Sequence, residues 1–574
     1  MSSPAVPAAP APRTPSSVDA VADAHVEAYA ALDPVAATGM GVAGHEDRLT
    51  DYSPAAADGR TDLARRTLAA LDGLSPADDV DVVTLAAMRE RLGLEVELAE
   101  ARVGRADVTV LATPLQDVRE VFDVMARDTA DDWATVARRL SAVPDALAGY
   151  GRAVLEEAAD GRGPAVRQVL AAAEQAEDAG DPAGYFADLA AGARPGGAAP
   201  SPALAADLAR GAAAAAAAYA DLARTLREDV LPRAREDDAC GREEYALRSR
   251  LFLGATVDLE ETYAWGLAEV ARVEAEMAEV AREITGGPDV DAAVAVLDAD
   301  PARRLPDVDA YVAWMQDLSD RTVVELGREH FDVPEPLRTL ECRIAPSATG
   351  AIYYTGPSED LVRPGRMWFS VPPEQTTFTT WLDTTTVFHE GVPGHHLQVG
   401  QTLLRGDVLN RWRRTMAWCS GYGEGWALYA ERLMAELGYL DDPGDRMGML
   451  VGQVLRASRV VVDIGLHCRL AAPAEVGGGT WDAAKVGEYL RGHARQDPAL
   501  LRFEHLRYLG WPGQAPSYKV GERLWLRLRD DVRAAEGDAF SAKAFHRRAL
   551  DLGAVGLDVL AAALTPAEAV TPRA

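Results

Sequence analysis

Cysteine is scarce in this chain. The four residues, Cys240, Cys342, Cys419 and Cys468, are dispersed and form no C-x-x-C pair, so reduced thiols in a cytoplasm are the expectation. Long apolar runs are missing as well. None approaches the roughly 20 residues that a membrane-spanning helix needs, and the Ala212–Ala218 tract is short and soon followed by charge. No basic start leads into an apolar stretch, so no secretory signal is expected. Positive charge is in deficit: 58 Lys and Arg against 89 Asp and Glu give a formal charge of −31 and a pI of about 4.7. That balance argues against nucleic acid and against anionic membranes as partners. No G-x-S-x-G elbow supports a serine hydrolase. Gly421-Tyr422-Gly423-Glu424-Gly425 has a superficial likeness to a nucleotide loop, but it lacks the full fingerprint and a preceding strand. Cys419, alone in its neighbourhood, reads as inert packing rather than as a nucleophile.

At 574 residues the chain can bury a large core and would usually exceed one compact domain. Residues 1–16, rich in Pro, Ala and Ser, are expected to be disordered. From about Val18 to Asp332, apolar residues recur at three- and four-residue steps, as in Val257–Ile284, and predict helices. Turn clusters interrupt them at Leu74–Asp78, Arg194–Pro202 and Gly286-Gly287-Pro288. The expected division is a helical lobe over residues 17–335 and a second lobe over 336–574, with one continuous fold as the alternative. Near the boundary the texture turns extended. Glu341–Ala345, Ala351–Thr355 and Arg366–Val371 read as short strands separated by Gly, Pro and Ser.

Four of the ten histidines lie between His389 and His467. The segment His389-Glu390-Gly391-Val392-Pro393-Gly394-His395-His396 sets a histidine, an adjacent carboxylate and two more histidines behind the apolar lead-in Thr386-Val387-Phe388. Zinc favours imidazole nitrogen and carboxylate oxygen, and a catalytic site takes three protein ligands with one position left for water. A carboxylate beside the first ligand is placed to take that water's proton, which is the role expected of Glu390. In the familiar H-E-x-x-H helix the second histidine stands at i+4; here Pro393 holds that position. On a regular helix His396 would lie about 10.5 Å along the axis from His389, too far to share a metal. Pro393 has no N–H and clashes with the carbonyl four residues back, and Gly394 permits unusual backbone angles. A break at Pro393-Gly394 is therefore expected to bring a later histidine back. Alignment with x-Gly-His-x-Leu favours His395 as the ligand and leaves His396 to contact substrate or a ligand, though the two could be exchanged. Gly421–Glu431 reads as a glycine-broken turn entering a helix. It supplies Glu424 as third ligand, with Glu431 as the fallback or as a group that orients an imidazole.

These strings, with Glu424-Gly425-Trp426-Ala427-Leu428-Tyr429-Ala430-Glu431, Arg459–His467 and Pro512-Gly513-Gln514-Ala515-Pro516-Ser517-Tyr518-Lys519-Val520-Gly521, resemble a bacterial family of mostly helical proteins of unknown function. That family is grouped with the thermolysin-like zinc peptidases, or gluzincins, and is similar to helical peptidases of the angiotensin-converting-enzyme and Taq carboxypeptidase kind. The likeness covers roughly residues 20–560. It implies a mainly α fold, a two-lobed helical body around a cleft with a small β-sheet beside the zinc-motif helix. It also implies Zn2+ as cofactor, hydrolysis of short peptides, and Tyr518 as donor to the oxyanion, with packing as the alternative role.

Asp463 and His467, four apart on one helix face, could orient a ligand or contact substrate, or form a self-satisfied buried pair. Lys519, next to Tyr518 on a turn-to-helix junction, is a further candidate for orienting a ligand or contacting substrate. A sheet edge could hold an extended peptide, which makes Tyr353 and Arg366 candidates for substrate contact. The competing expectation is a protein that binds peptides or a partner on the same fold without cleaving them.

Overall fold

Helix ends follow the local chemistry of the chain. Asp258 accepts from the Glu261 N–H to open the helix Leu259–Thr285, and Gly286, at φ 82°, closes it. A short acceptor at the start and a left-handed glycine at the end satisfy backbone groups that the helix leaves free. Thr129 and Asp132 cap Ala130–Ala159 reciprocally. The alanine tract lies within Pro202–Thr225, which packs along Ala130–Ala159. There a Cβ on Gly211 would come within 2.8 Å of the Leu140 Cβ, so the small residues let the two helices approach closely.

The computed structural model describes residues 13–345, 352–358, 361–371 and 375–565. They form a mainly α protein with two small sheets. In the larger sheet, Gly365–Phe369 runs parallel to Leu340–Ile344 and antiparallel to Ile352–Thr355. The three extended segments are thus strands of one mixed sheet; the first and third begin one residue earlier and end one or two residues sooner than read, and Ala351 lies outside the described residues. A second pair joins Arg304–Leu305 to Phe378–Thr379.

The apolar cores do not divide at residue 335. One buried cluster gathers residues from Val18 to Leu92, from Tyr245 to Leu337 and from Trp381 to Leu560. A second is built wholly from residues between Val108 and Val230. A third joins the sheet residues Leu340, Cys342, Met367 and Phe369 to Val387, which puts the sheet against the helix that carries His389. Periodicity shows where helices run but not which of them share a core. The tail expected over residues 1–16 lies outside the described residues as far as residue 12. Arg13–Ser16 are described and held in place: Arg13 pairs with Asp19, Asp78 and Asp81, and Ser16 caps Ser17–Leu32. Disorder does not extend to these four, because three carboxylates fix the guanidinium.

Candidate metal centre

His389 and Glu390 end a short buried helix, Thr384–Glu390. The chain then turns through Gly391–Gly394, with a cis peptide between Val392 and Pro393, and enters a second helix, His395–Leu404. Gly394 is required here. A Cβ at that position would sit 1.9 Å from the carbonyl oxygen of His389, so only glycine lets the chain fold back so tightly. The break returns His395 to His389, and the two rings meet edge to face with centroids 4.9 Å apart. His396 faces elsewhere. Its Nε2 donates to the Leu337 carbonyl at 2.9 Å and its Nδ1 accepts from the Tyr354 hydroxyl at 2.9 Å, so both ring nitrogens are engaged away from the cluster.

Glu424 comes from the helix Ser420–Glu436. Its Oε2 lies 3.4 Å from His389 Nε2 and 3.5 Å from His395 Nε2, and one ligand atom from each of the three residues lies within 4.8 Å of the others. Glu431, two turns on, accepts from His389 Nδ1 at 2.7 Å. It holds the ring rather than joining the cluster. The Gly421–Gly425 stretch is helix, not a turn. A Cβ on Gly425 would come 2.5 Å from the backbone of Gly521, and one on Gly521 would come 2.6 Å from the Gly421 carbonyl oxygen. The glycines thus admit the helix Ser517–Glu536 against that of Glu424, which sets Tyr518 beside the same cavity.

The electrostatics reflect this convergence. Burial pulls the His389 imidazole down, but hydrogen bonds with Glu424 and Glu431 overcome it and raise the group to about 9. Burial opposes ionisation of Glu424, yet its bonds with His389 and His395 hold the carboxyl well below the usual range. Glu390 is raised by burial, against the pull of His389 and His395. Its Oε2 and the His395 Nδ1 are buried without a hydrogen-bond partner among the described residues. Two imidazoles and a carboxylate converging on one point, with a further carboxylate on the distal nitrogen of an imidazole, form a donor set that suits Zn2+.

The cluster opens on a cavity of about 1100 Å³ that also receives Glu390, Tyr353 and Tyr518. Burial, and then Glu424, raise the Tyr518 phenol, which keeps its proton; the Arg459 guanidinium lies 4.9 Å from the ring centroid. Tyr353 stacks on Trp368 at 6.1 Å. Arg366 instead pairs with Glu341 at 2.8 Å and packs on Trp368, and it is not part of the cavity wall.

Three more candidates lie away from the cluster. Asp463 accepts from the Tyr245 hydroxyl at 2.6 Å and the Gly513 N–H at 2.8 Å. His467 donates to the Tyr508 carbonyl at 2.8 Å and accepts from the Cys240 N–H at 3.4 Å, so both residues are buried but each bonds to other segments rather than to the other, and the expected self-satisfied pair does not form. Lys519 is buried on Glu522 at 2.6 Å and Glu269 at 3.0 Å. Among the described residues it is linked to the site through Gln453, which donates to Glu431 at 3.5 Å. Sequence reasoning missed Trp418, which is 43% exposed at the cavity with its ring 6.2 Å from that of His395. It also missed Arg456. An exposed tryptophan next to the Gly421–Glu431 string was the available signal for the first; nothing local marked the second.

The family model described as "Bacterial protein of unknown function (DUF885)" matches residues 34–564. No curated protein matches the chain. Two solved structures share the fold. "The crystal structure of the putative lipoprotein from Colwellia psychrerythraea" matches with a TM-score of 0.83 and 22% identity over 96% of this chain and 98% of that one. "The structure of a putative lipoprotein of unknown function from Shewanella oneidensis" matches with a TM-score of 0.73 and 17% identity over 96% and 99%.

Proposed function

The chain belongs to the DUF885 family of bacterial proteins of unknown function, and from its site we propose that it is a zinc-dependent hydrolase that cleaves short peptides. One observation carries the reading: ligand atoms of His389, His395 and Glu424 gather within 4.8 Å on the wall of a cavity that Glu390 also faces. Zinc held there would polarise a substrate carbonyl and acidify water. His389, His395 and Glu424 would hold it, and Glu431 fixes the His389 ring. Glu390, in its buried position, takes the proton of the attacking water and delivers it to the leaving amine. The Tyr518 O–H donates to the carbonyl oxygen as charge develops on it. The edge strand Ile352–Thr355 contributes Ile352, Tyr353 and Tyr354 to the cavity, where an extended peptide can pair by strand addition. A histidine–glutamate helix with a glutamate on a later helix is the thermolysin-like arrangement, here with a wider histidine spacing.

The test is hydrolysis of a mixed library of short peptides by the purified chain. Activity should vanish on chelation and return with zinc; a chain that cleaves no peptide when zinc-loaded would refute the reading. A second reading is peptide binding without cleavage. The closed His389–Glu424–Glu431 contacts favour it, since they satisfy the histidine without an ion. It requires folding and function to survive both chelation and Glu390→Gln. A non-peptide amide substrate is a variant of the first reading, separated by substrate profiling. The four cysteines are free, and no helix among the described residues is long and apolar enough to cross a membrane. A cytoplasmic location forms part of the proposal; the lipid anchor implied by the neighbours' description would place the same site elsewhere, and cell fractionation decides between them.

A further inference from the structure

The helix Pro443–His467 presents two arginines to the cavity, and Arg507 joins them from Pro498–Gly510. Arg459 donates to the Tyr508 hydroxyl at 2.6 Å and to Glu504 at 3.1 Å. Arg507 donates to Glu504 at 2.9 Å and to Gln514 at 2.5 Å. Glu504 thus faces both and fixes them. Arg456 is different. Among the described residues its ion-pair partner is Glu431, at 3.8 Å, beyond hydrogen-bonding distance; its Nε, like that of Arg507, is buried with no hydrogen-bond partner. The guanidinium lies back along its own helix over Gly452, where a Cβ would come 2.3 Å from its Nη1. Glycine at this position clears a bed for the fork one turn away, and Gly452 itself lines the cavity. These three guanidiniums share the wall with a fourth, Arg119, which pairs with Glu120, and besides Glu504 the wall carries Asp178, Asp383, Glu390 and Glu424. What sets Arg456 apart is its lack of a close partner rather than any excess of positive charge.

We propose that Arg456 is the anchor for a substrate carboxylate. A guanidinium fork matches a carboxylate with two parallel bonds, and Arg459 and Arg507 add positive potential without being free to take it. Resting on the hydrolase reading above, this makes the substrate a short acidic-ended peptide whose free carboxylate sits beside the cluster. Cleavage then removes a C-terminal fragment. The C–N bond breaks, the water oxygen stays on the acyl carbon, and its proton passes through Glu390 to the released amine. An acidic side chain near the scissile bond presents the same group, and the test separates the two.

Binding is measured by calorimetry on zinc-loaded Glu390→Gln protein, where turnover does not interfere. The probes are the tripeptide Ala-Ala-Phe, its C-terminal amide, and the amide of Ala-Glu-Phe. The free acid should bind roughly tenfold to a hundredfold tighter than its amide. Adding Arg456→Gln should bring the acid to the level of the amide and leave the amide and the zinc content unchanged, while Arg456→Lys keeps part of the preference. Tight binding of the Ala-Glu-Phe amide would support the anchor and assign the carboxylate to a side chain. Equal affinity for all three probes, no binding of the acid, or equal weakening of all three by Arg456→Gln would overturn it. The comparison of acid with amide needs no Arg456 variant, so a variant that misfolds does not protect the idea. Failure of the wild-type chain to hydrolyse peptides would sink the hydrolase reading but leave the affinity comparison legible.

Discussion

His389 and His467 are both buried and both stand in the last turn of a helix, yet their surroundings drive them in opposite directions. Burial, with Arg235 and Arg248 nearby, pushes His467 down to about 3. His389 is carried up to about 9 by Glu424 and Glu431 despite the same loss of solvent. One ring is spent on a backbone carbonyl; the other is held from behind by a carboxylate and turned toward two further ligand atoms. Burial alone therefore does not separate a structural histidine from a chemical one. What separates them is whether the ring's free nitrogen converges with others on a cavity.

Substitutions that test this contrast differ in size. Glu390→Gln should lower peptide turnover by about 10²–10⁴-fold with zinc retained, measured by kinetics and metal analysis on the same sample. Tyr518→Phe should cost about 10²–10³ in kcat with little change in zinc content; an unchanged kcat would return the phenol to packing. Glu431→Gln should weaken zinc binding by about 10–100-fold, read by competition with a chelating dye, whereas Asp463→Asn should leave it alone.

The smallest effect is on stability. Burial raises the Asp463 carboxyl to about 7, against the bonds from Tyr245 and Gly513. The folded state thus holds the proton more tightly than the unfolded chain, whose carboxyl titrates near 3.9. That contribution is fully present below about pH 4 and is lost as pH rises to about 7. Across that window the stability of wild type relative to Asp463→Asn should fall in urea titrations, and a constant difference would show that the group does not titrate there.

Much of the centre was legible because its determinants are local. Pro393 lacks an N–H and Gly394 lacks a Cβ, so the break could be read from two residues, and with it the return of a later histidine. Glu424 and Glu431 followed from two-turn spacing on one helix. The choice between His395 and His396 was not legible, since it depends on Leu337 and Tyr354, which lie 59 and 42 residues away. The same holds for Asp463 and His467: four-residue spacing shows a shared face but not that Tyr245 and Tyr508 cover it. The glycines at 421–425 suggested a turn because their partner, Gly521, belongs to a distant segment. The helical class and the strands were periodic and readable, whereas the grouping of residues 108–230 into a core of their own needed tertiary contacts.

Metal analysis of the purified chain decides whether the His389 cluster is a metal site at all. About one zinc per wild-type chain, lost in both His389→Ala and Glu424→Ala but kept in His467→Ala, is the result expected here. A wild-type chain that neither carries zinc nor takes it up on dialysis, or a His389→Ala chain that binds it as well as wild type, would contradict the assignment.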